Sequence, residues 1–234
     1  MLTPDTPATP LDRKPPTSEL VSDYLSRAIH EHRLSPGTKL GEDELAEIYG
    51  VSRTIIRTAL QSLAHCQLVE THRNRGAFVA KPTPDEAREV FEARALLEPR
   101  TAKSAALKAT KDDIAFLEQH IDMEHEALSA GDRGRALFLS GQLHVHIARI
   151  ADQATIASFI ETLIARSSLI VALYWKQESA LCDRHAHHGL VSAIENNDAA
   201  QAEEIMSRHI TDLHAALDLR KATTQTASLK DILG

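Results

Sequence analysis

The stretch from Glu42 to Leu63 constrains this chain more than any other, because it sets two helical stripes either side of a single break. Leu45, Ala46, Ile48 and Tyr49 recur at helical spacing, and Gly50 then supplies a residue that can end a helix in the left-handed conformation. Val51 plugs the turn. Ser52 can cap a second helix, whose buried stripe is Ile55, Ile56, Ala59, Leu60 and Leu63. Arg53, Thr54, Arg57 and Gln61 are left on the other side. That face suits the major groove of DNA, since Arg forks onto guanine edges or phosphates and Thr reaches either. A plain solvated face is the bland alternative, and the flanking sequence weighs against it.

Upstream, residues 1–16 are rich in Pro and Thr and short of apolar side chains, which predicts a disordered tail. From Thr17 to about Arg33 the spacing of Leu20, Val21, Tyr24, Leu25, Ala28 and Ile29 predicts a helix. SPG at 35–37 is a turn, and Thr38 to Leu40 reads as a short strand. Downstream, Leu68, Val69 and Thr71 precede RNRG, and Ala77, Phe78 and Val79 follow it, the pattern of a β-hairpin. Its tip carries Arg73, Asn74, Arg75 and Gly76. Such a wing can reach a minor groove or the phosphates beside it, because Gly lets the backbone approach closely and Arg fits the negative potential. The reading is a winged helix-turn-helix domain over residues 17–81, followed by a stiff linker at 82–84.

The net charge of −7 over 234 residues argues against nucleic acid only until it is divided. Up to residue 82 the charges cancel, ten Lys and Arg against ten Asp and Glu, so the remainder carries the whole excess. Between Val51 and Lys81 five basic residues face Glu70 alone, a local +4. A compact basic patch serves phosphate contact on an acidic chain, because charge is felt within a Debye length of ~8 Å at physiological salt. Cys66 and Cys182 lie far apart with no CxxC spacing and read as reduced, packing thiols in a cytoplasmic protein. No uncharged apolar run approaches the ~18 residues that span a bilayer, LIVALYW at 169–175 being the longest conspicuous one, so a soluble protein is expected.

From Asp85 to residue 222 everything reads as helix, with breaks near Pro99, Lys111, Gly131-Asp132, Asp152, Asp183 and Asn196-Asn197, and a tail over 223–234. The fold class is therefore mainly α: a winged helix-turn-helix domain with a small β-hairpin, then an all-α bundle of six or seven helices. Four polar residues stand where that bundle's core should be. Arg94 shares a face with Val90 and Leu97, and a buried Arg costs several kcal/mol unless an anion pairs with it. His144 aligns with Leu137, Ile147, Ala148 and Ala151; His187 with Leu190, Val191 and Ile194; His209 with Ala202, Ile205, Met206 and Leu213. A single such His is more often a hydrogen-bonded core residue than a ligand. Three on three separate helices point to a shared cation, a His₃ metal site with positions open for water or an anion. His146, His185, His188 and His214 fall on mixed or outward faces and read as surface residues.

LSPGTKLGEDELAEIYGVSRTIIRTALQSLAHCQLVETHRNRGAFV resembles the winged-helix domain of GntR-type bacterial transcription regulators across nearly all its length. FEARALLEP, LHVHIARIAD and HHGLVSAIENNDAAQAEEIMSRHI resemble the FadR-like C-terminal ligand-binding domain, FCD, of one subfamily. The resemblance implies a homodimer on a pseudo-palindromic double-stranded DNA operator, with the all-α domain binding a small carboxylate metabolite. By the family's spacing His144, His187 and His209 fall on metal-ligand positions and Arg94 on the position that often holds the effector's carboxylate. Arg53 and Arg57 fall on the recognition-helix contacts and Gly76 on the wing. The family usually has an Asp one turn before its first metal-ligand His, and here that position is Ser140, a poorer ligand without charge. Three imidazoles without a carboxylate lean toward Zn²⁺ or Ni²⁺. Cys66-Gln67 stands where many relatives place a Gly at the helix end, so a shifted cap is expected.

These readings combine into a metabolite-responsive repressor that is not an enzyme. No nucleophile is paired with a base, and there is no phosphate-cradling Gly loop and no HExxH. Two alternatives stay open at this point: a regulator whose His cluster is purely structural, and a metal-dependent enzyme with an accessory DNA-binding domain.

Overall fold

A computed structural model of the chain describes residues 16–175 and 184–220, apart from the side chains of Arg184 and His185. The N-terminal unit begins with α1 (Ser18–His30), capped by Thr17, whose hydroxyl accepts from the Leu20 N–H at 3.3 Å. This helix stops short of the expected Arg33. His32 turns into the left-handed region at φ 57°, and Leu34 behind it is fully buried, pulling the chain back onto the core.

There follow β1 (Lys39–Leu40), α2 (Glu42–Tyr49), α3 (Arg53–His65), β2 (Val69–His72) and β3 (Gly76–Val79). The strands make an antiparallel sheet in the order β1-β3-β2, with Leu40 opposite Ala77 and Thr71 opposite Ala77 on its other side. Gly50 caps α2 at φ 63°, and the Ser52 hydroxyl accepts from the Ile55 N–H, so both signals read from the sequence shape the turn between α2 and α3. At the end of α3, Cys66 takes the cap and Gln67 adopts the left-handed conformation at φ 58°, which costs a non-glycine residue about 1 kcal/mol. Cys66 itself is exposed, contrary to its reading as a packing thiol. Cys182 lies outside the described residues.

The second unit opens with α4 (Pro84–Ala106), then α5 (Lys111–Ser129), α6 (Arg133–Ile150), α7 (Ala154–Tyr174), α8 (Arg184–Glu195) and α9 (Ala199–Ala215). Thr83 and Glu86 form a reciprocal capping box at the start of α4, and Pro84 is already its first residue. The break expected at Pro99 does not occur. Pro99 is buried inside α4, and the hydrogen bond it forfeits is outweighed by Ala87, Val90, Phe91, Ala102 and Ala105, which bury on both sides of it. The break expected near Asp183 falls outside the described residues.

Helix α7 has a mean hydropathy of 1.7 over a span long enough to cross a membrane, and its buried apolar side chains are shared among three clusters. Ile170, Leu173 and Tyr174 join the main core of the bundle, and Ile160 and Ile164 join a smaller cluster with Val145 of α6. Ala165 and Leu169 join the core of the N-terminal unit itself. Both units therefore bury apolar surface on one helix. At the same seam the His32 Nε2–H donates to the Ser168 carbonyl at 2.9 Å, and the Ser168 hydroxyl donates to the His30 carbonyl at 3.2 Å. Close to these, a Cβ on Gly134 of α6 would stand 2.2 Å from the Glu31 carbonyl oxygen, so only glycine permits this approach.

Candidate functional site

Arg94 and Glu98 lie one turn apart on α4, and the helix presents both to the bundle interior. The Arg94 Nε–H donates to Glu98 Oε1 at 2.5 Å, and a second guanidinium nitrogen reaches Glu98 Oε2 at 3.4 Å. The anion that a buried Arg requires is thus a carboxylate on its own helix. Glu98 Oε2 also accepts from Nδ1 of His144, which α6 brings in from the other side. Helix α8 supplies His187, whose Nδ1 donates to Glu124 Oε2 on α5 at 3.0 Å. Helix α9 supplies His209, whose Nε2 is 3.3 Å from Nε2 of His187. These six residues are between 1 and 6% exposed.

The three histidines offer ligand atoms that all lie within 4.8 Å of one another. In His144 and His187 the carboxylates hold the Nδ1–H, which fixes the tautomer and leaves each Nε2 lone pair as the free donor. This is how histidines are oriented around metals. A tetrahedral zinc with N ligands at ~2.0–2.1 Å has ligand nitrogens about 3.3 Å apart, close to the observed separation of His187 and His209. The donor set fits a divalent metal.

Burial pushes the Glu98 carboxyl up, but the Arg94 charge, with hydrogen bonds from His144 and Arg94, brings it down to about 2. Burial pushes His144 down, opposed in part by Glu98, and pushes His209 well below the usual range, helped by the neighbouring His144, His187 and Arg94. His144 and His209 are therefore neutral imidazoles at neutral pH, as ligation needs. Counting only Arg94, Glu98 and Glu124, the buried set holds one guanidinium against two carboxylates.

A cavity of about 60 Å³ opens beside this cluster, lined by Arg94, His144 and Ser140 among others. Ser140, one turn before His144, thus borders the same space as the histidine and the guanidinium. The residues expected to touch DNA form a separate, exposed set. Arg57 grips Glu42 at 2.7 Å, and Arg53 pairs with Asp43 at 3.1 Å, so both basic side chains of α3 are held by acids in the first turn of α2. Thr54 is exposed beside them, and Arg73, Asn74, Arg75 and Gly76 are exposed at the hairpin tip, where Asn74 and Gly76 both have positive φ.

Sequence reasoning missed Glu98 and Glu124. Glu98 was legible at four residues from Arg94, and Glu124 through its helical spacing with Leu117 and Ile121 of the buried α5 face. His120 was also missed: it is buried, and its Nε2–H donates to the Leu139 carbonyl at 2.8 Å. His146 is not the surface residue expected but half-buried against Phe116 and His120, and burial, followed by His120 and Arg149, pushes it down to about 4. His188 is exposed as expected, and His214 is partly buried, stacked on Phe91.

Known proteins resemble the chain in both units. The model for bacterial regulatory proteins of the gntR family matches residues 17–79, and that for the FCD domain matches residues 89–212. The galactonate operon transcriptional repressor of Escherichia coli is 30% identical over 206 residues, covering 77% of this chain and 87% of its own. The Uxu operon regulator of Haemophilus influenzae is 29% identical over 217 residues, covering 84% and 80%. Among solved structures, a GntR transcriptional regulator from a Rhodococcus species superposes with a TM-score of 0.73 at 20% identity, covering 85% of this chain and 95% of that one. Escherichia coli McbR/YncC gives the same score at 21% identity and shares the fold. The family and the two operon regulators are regulatory proteins, which removes the enzyme alternative. The chain belongs to the gntR family of bacterial regulatory proteins and carries the FCD domain.

Proposed function

We propose that this regulator is a metabolite-responsive repressor, soluble in the cytoplasm, that binds a pseudo-palindromic operator as a homodimer and takes a small carboxylate at a metal held by His144, His187 and His209. The observation that carries the reading is the buried cluster itself: three imidazoles whose ligand atoms lie within 4.8 Å of one another, one of which, His144, borders a cavity together with the Arg94 guanidinium. With a divalent cation on the histidines the buried set turns from one charge negative to one charge positive, and a carboxylate closes the balance. The metal, when bound, supplies a Lewis-acidic anchor for a carboxylate oxygen. Arg94 supplies the second anchor, with the guanidinium edge that Glu98 leaves unused. The relatives named as operon regulators, one of them a galactonate operon repressor, support the repressor sense and an acidic metabolite.

On the DNA side, Arg53, Thr54 and Arg57 are the proposed major-groove contacts and Arg73, Asn74, Arg75 and Gly76 the wing contacts. Glu42 and Asp43 hold the two α3 arginines extended until phosphates or guanine edges replace them. Effector binding shifts operator affinity only by its differential affinity for the DNA-bound and released states.

Elemental analysis of the purified wild type beside a His187→Ala/His209→Ala variant tests the metal site. About one equivalent of Zn or Ni per chain in the wild type and almost none in the variant is the expected result. No metal in either protein after reloading would mean that Ser140 has cost the site its ion, and Arg94 with the histidines would then have to hold the anion directly. A chelator that lowers the melting temperature yet leaves effector-driven DNA release intact would assign the histidines a structural role alone.

A further inference from the structure

We propose that the DNA-binding unit itself reads the far end of the effector, through His30 and His32, and that the effector is a hydroxy acid. This rests on the carboxylate-effector reading above and extends it across the seam between the units. The cavity lined by Arg94, Ser140 and His144 is also lined by His30 and His32, at and just beyond the C-terminus of α1, and His30 packs on Phe138, which lies about 9 Å before His144 along α6.

The hydrogen bonds already made by these groups decide what they can offer a ligand. The His30 Nδ1–H donates to the Ser26 carbonyl at 2.7 Å, so Nε2 is the nitrogen left over, a lone pair and therefore an acceptor. His32 donates from Nε2 to the Ser168 carbonyl, which leaves its Nδ1 as an acceptor in the same way. Ser167, on the same wall, spends its hydroxyl proton on the Leu163 carbonyl at 2.8 Å and keeps only oxygen lone pairs. Burial pushes both His30 and His32 down, so both rings stay neutral at neutral pH.

The lining is thus cationic at Arg94, while His30, His32 and Ser167, nearer the seam, present acceptors. A ligand that fits both carries a carboxylate at one end and a hydroxyl hydrogen at the other. The walls between are Leu137, Ile164, Val171 and Leu213, which suit a short carbon chain. A space of about 60 Å³ holds roughly four to six water-sized groups, the size of a short-chain hydroxy acid.

The consequence is regulatory. The two histidines also fasten the seam, through the bonds between His32, Ser168 and the His30 carbonyl. A ligand hydroxyl bound there joins the same network, so occupancy and the docking of the DNA-binding unit are linked.

The test compares 4-hydroxybutyrate with butyrate, which differ only in the distal hydroxyl, by calorimetric titration of the zinc-loaded full chain. Wild type should prefer the hydroxy acid by roughly three- to tenfold, the worth of one hydrogen bond. His30→Phe keeps an aromatic ring against Phe138 and removes the acceptor. His32→Gly adopts the left-handed backbone freely and leaves no side-chain acceptor, so it serves if the first variant folds poorly. Either folded variant should lose the preference and bind the two probes with equal affinity. A hydroxyl preference that survives in both variants, or is missing in the wild type, overturns this inference and leaves the carboxylate reading standing. If the wild type binds neither probe, the carboxylate reading falls, and this inference falls with it.

Discussion

In the winged-helix unit Arg53, Arg57, Arg73 and Arg75 stand in solvent above a core built from Val21, Leu25, Ile29, Leu45, Ile56, Leu60 and Leu63. In the helical unit Arg94 is 3% exposed and lies within the bundle, tied to Glu98 and through it to His144. The first arrangement separates stability from function: the apolar stripe holds the fold, and the opposite face can change without disturbing it. The second merges them, because each group of the cluster removes a charge penalty from another. Mutations should therefore behave differently in the two units. Replacing the exposed arginines of the first should alter binding and spare folding, and replacing members of the buried cluster in the second should alter both.

The largest expected effect follows from Glu98→Ala. It strands the Arg94 guanidinium in the interior and takes the orienting partner from His144, so the chain should lose about 3–5 kcal/mol of stability in urea unfolding. A loss below about 1 kcal/mol would mean that Arg94 finds water or another anion, and the contrast between the units would fail. Next comes Glu124→Gln, which keeps the shape and removes the charge behind His187. Metal affinity in competition with a chelating dye should fall roughly ten- to a hundredfold. An unchanged affinity would show that the carboxylate braces the helices without orienting the ligand.

Arg57→Ala probes the other side of the comparison. Its partner Glu42 is on the surface, where an ion pair contributes little to folding, so the urea midpoint should not move. Operator affinity should fall roughly tenfold, and discrimination between operator and unrelated DNA should narrow, as expected when a base contact is lost. If affinity falls equally on all sequences, Arg57 touches only phosphate.

How much was legible in the sequence follows the same division. The winged helix could be read almost residue by residue, since Gly50, Ser52 and the RNRG tip are local signals and their partners lie a few residues away. The histidines were legible as violations of an apolar face. What hides from the sequence is pairing across helices: Glu124 reaches His187 over 63 positions, and Glu98 reaches His144 over 46. No periodicity encodes that. Pro99 misled for a related reason, because a local rule predicts a break and the packing of α4 on both sides of it prevails. Likewise the seam histidines carried no signal, since their role depends on α7 lying across the end of α1.

The smallest expected effect sharpens the comparison where the units join. Thr83 accepts from the Glu86 N–H at 3.2 Å, and Glu86 Oε2 accepts in return from the Thr83 N–H at 2.8 Å, closing the first turn of α4. Glu86 Oε1 meanwhile accepts from Arg166 at 3.1 Å, so the cap is fastened to α7. Thr83→Ala should cost about 1 kcal/mol, as caps do. Ser52→Ala, which removes the corresponding cap from α3, should cost a similar amount, its own bond being 3.4 Å long. The two variants should part in their binding. Ser52 begins the helix that carries Arg53 and Arg57, so its loss should weaken operator binding severalfold. Thr83 lies about three turns before Arg94 on a helix gripped by α7 and α9, so fraying there should leave metal affinity within about twofold of wild type. A larger drop in metal affinity would show that the start of α4 transmits strain to the buried cluster, making this cap a route between the effector site and the DNA-binding unit.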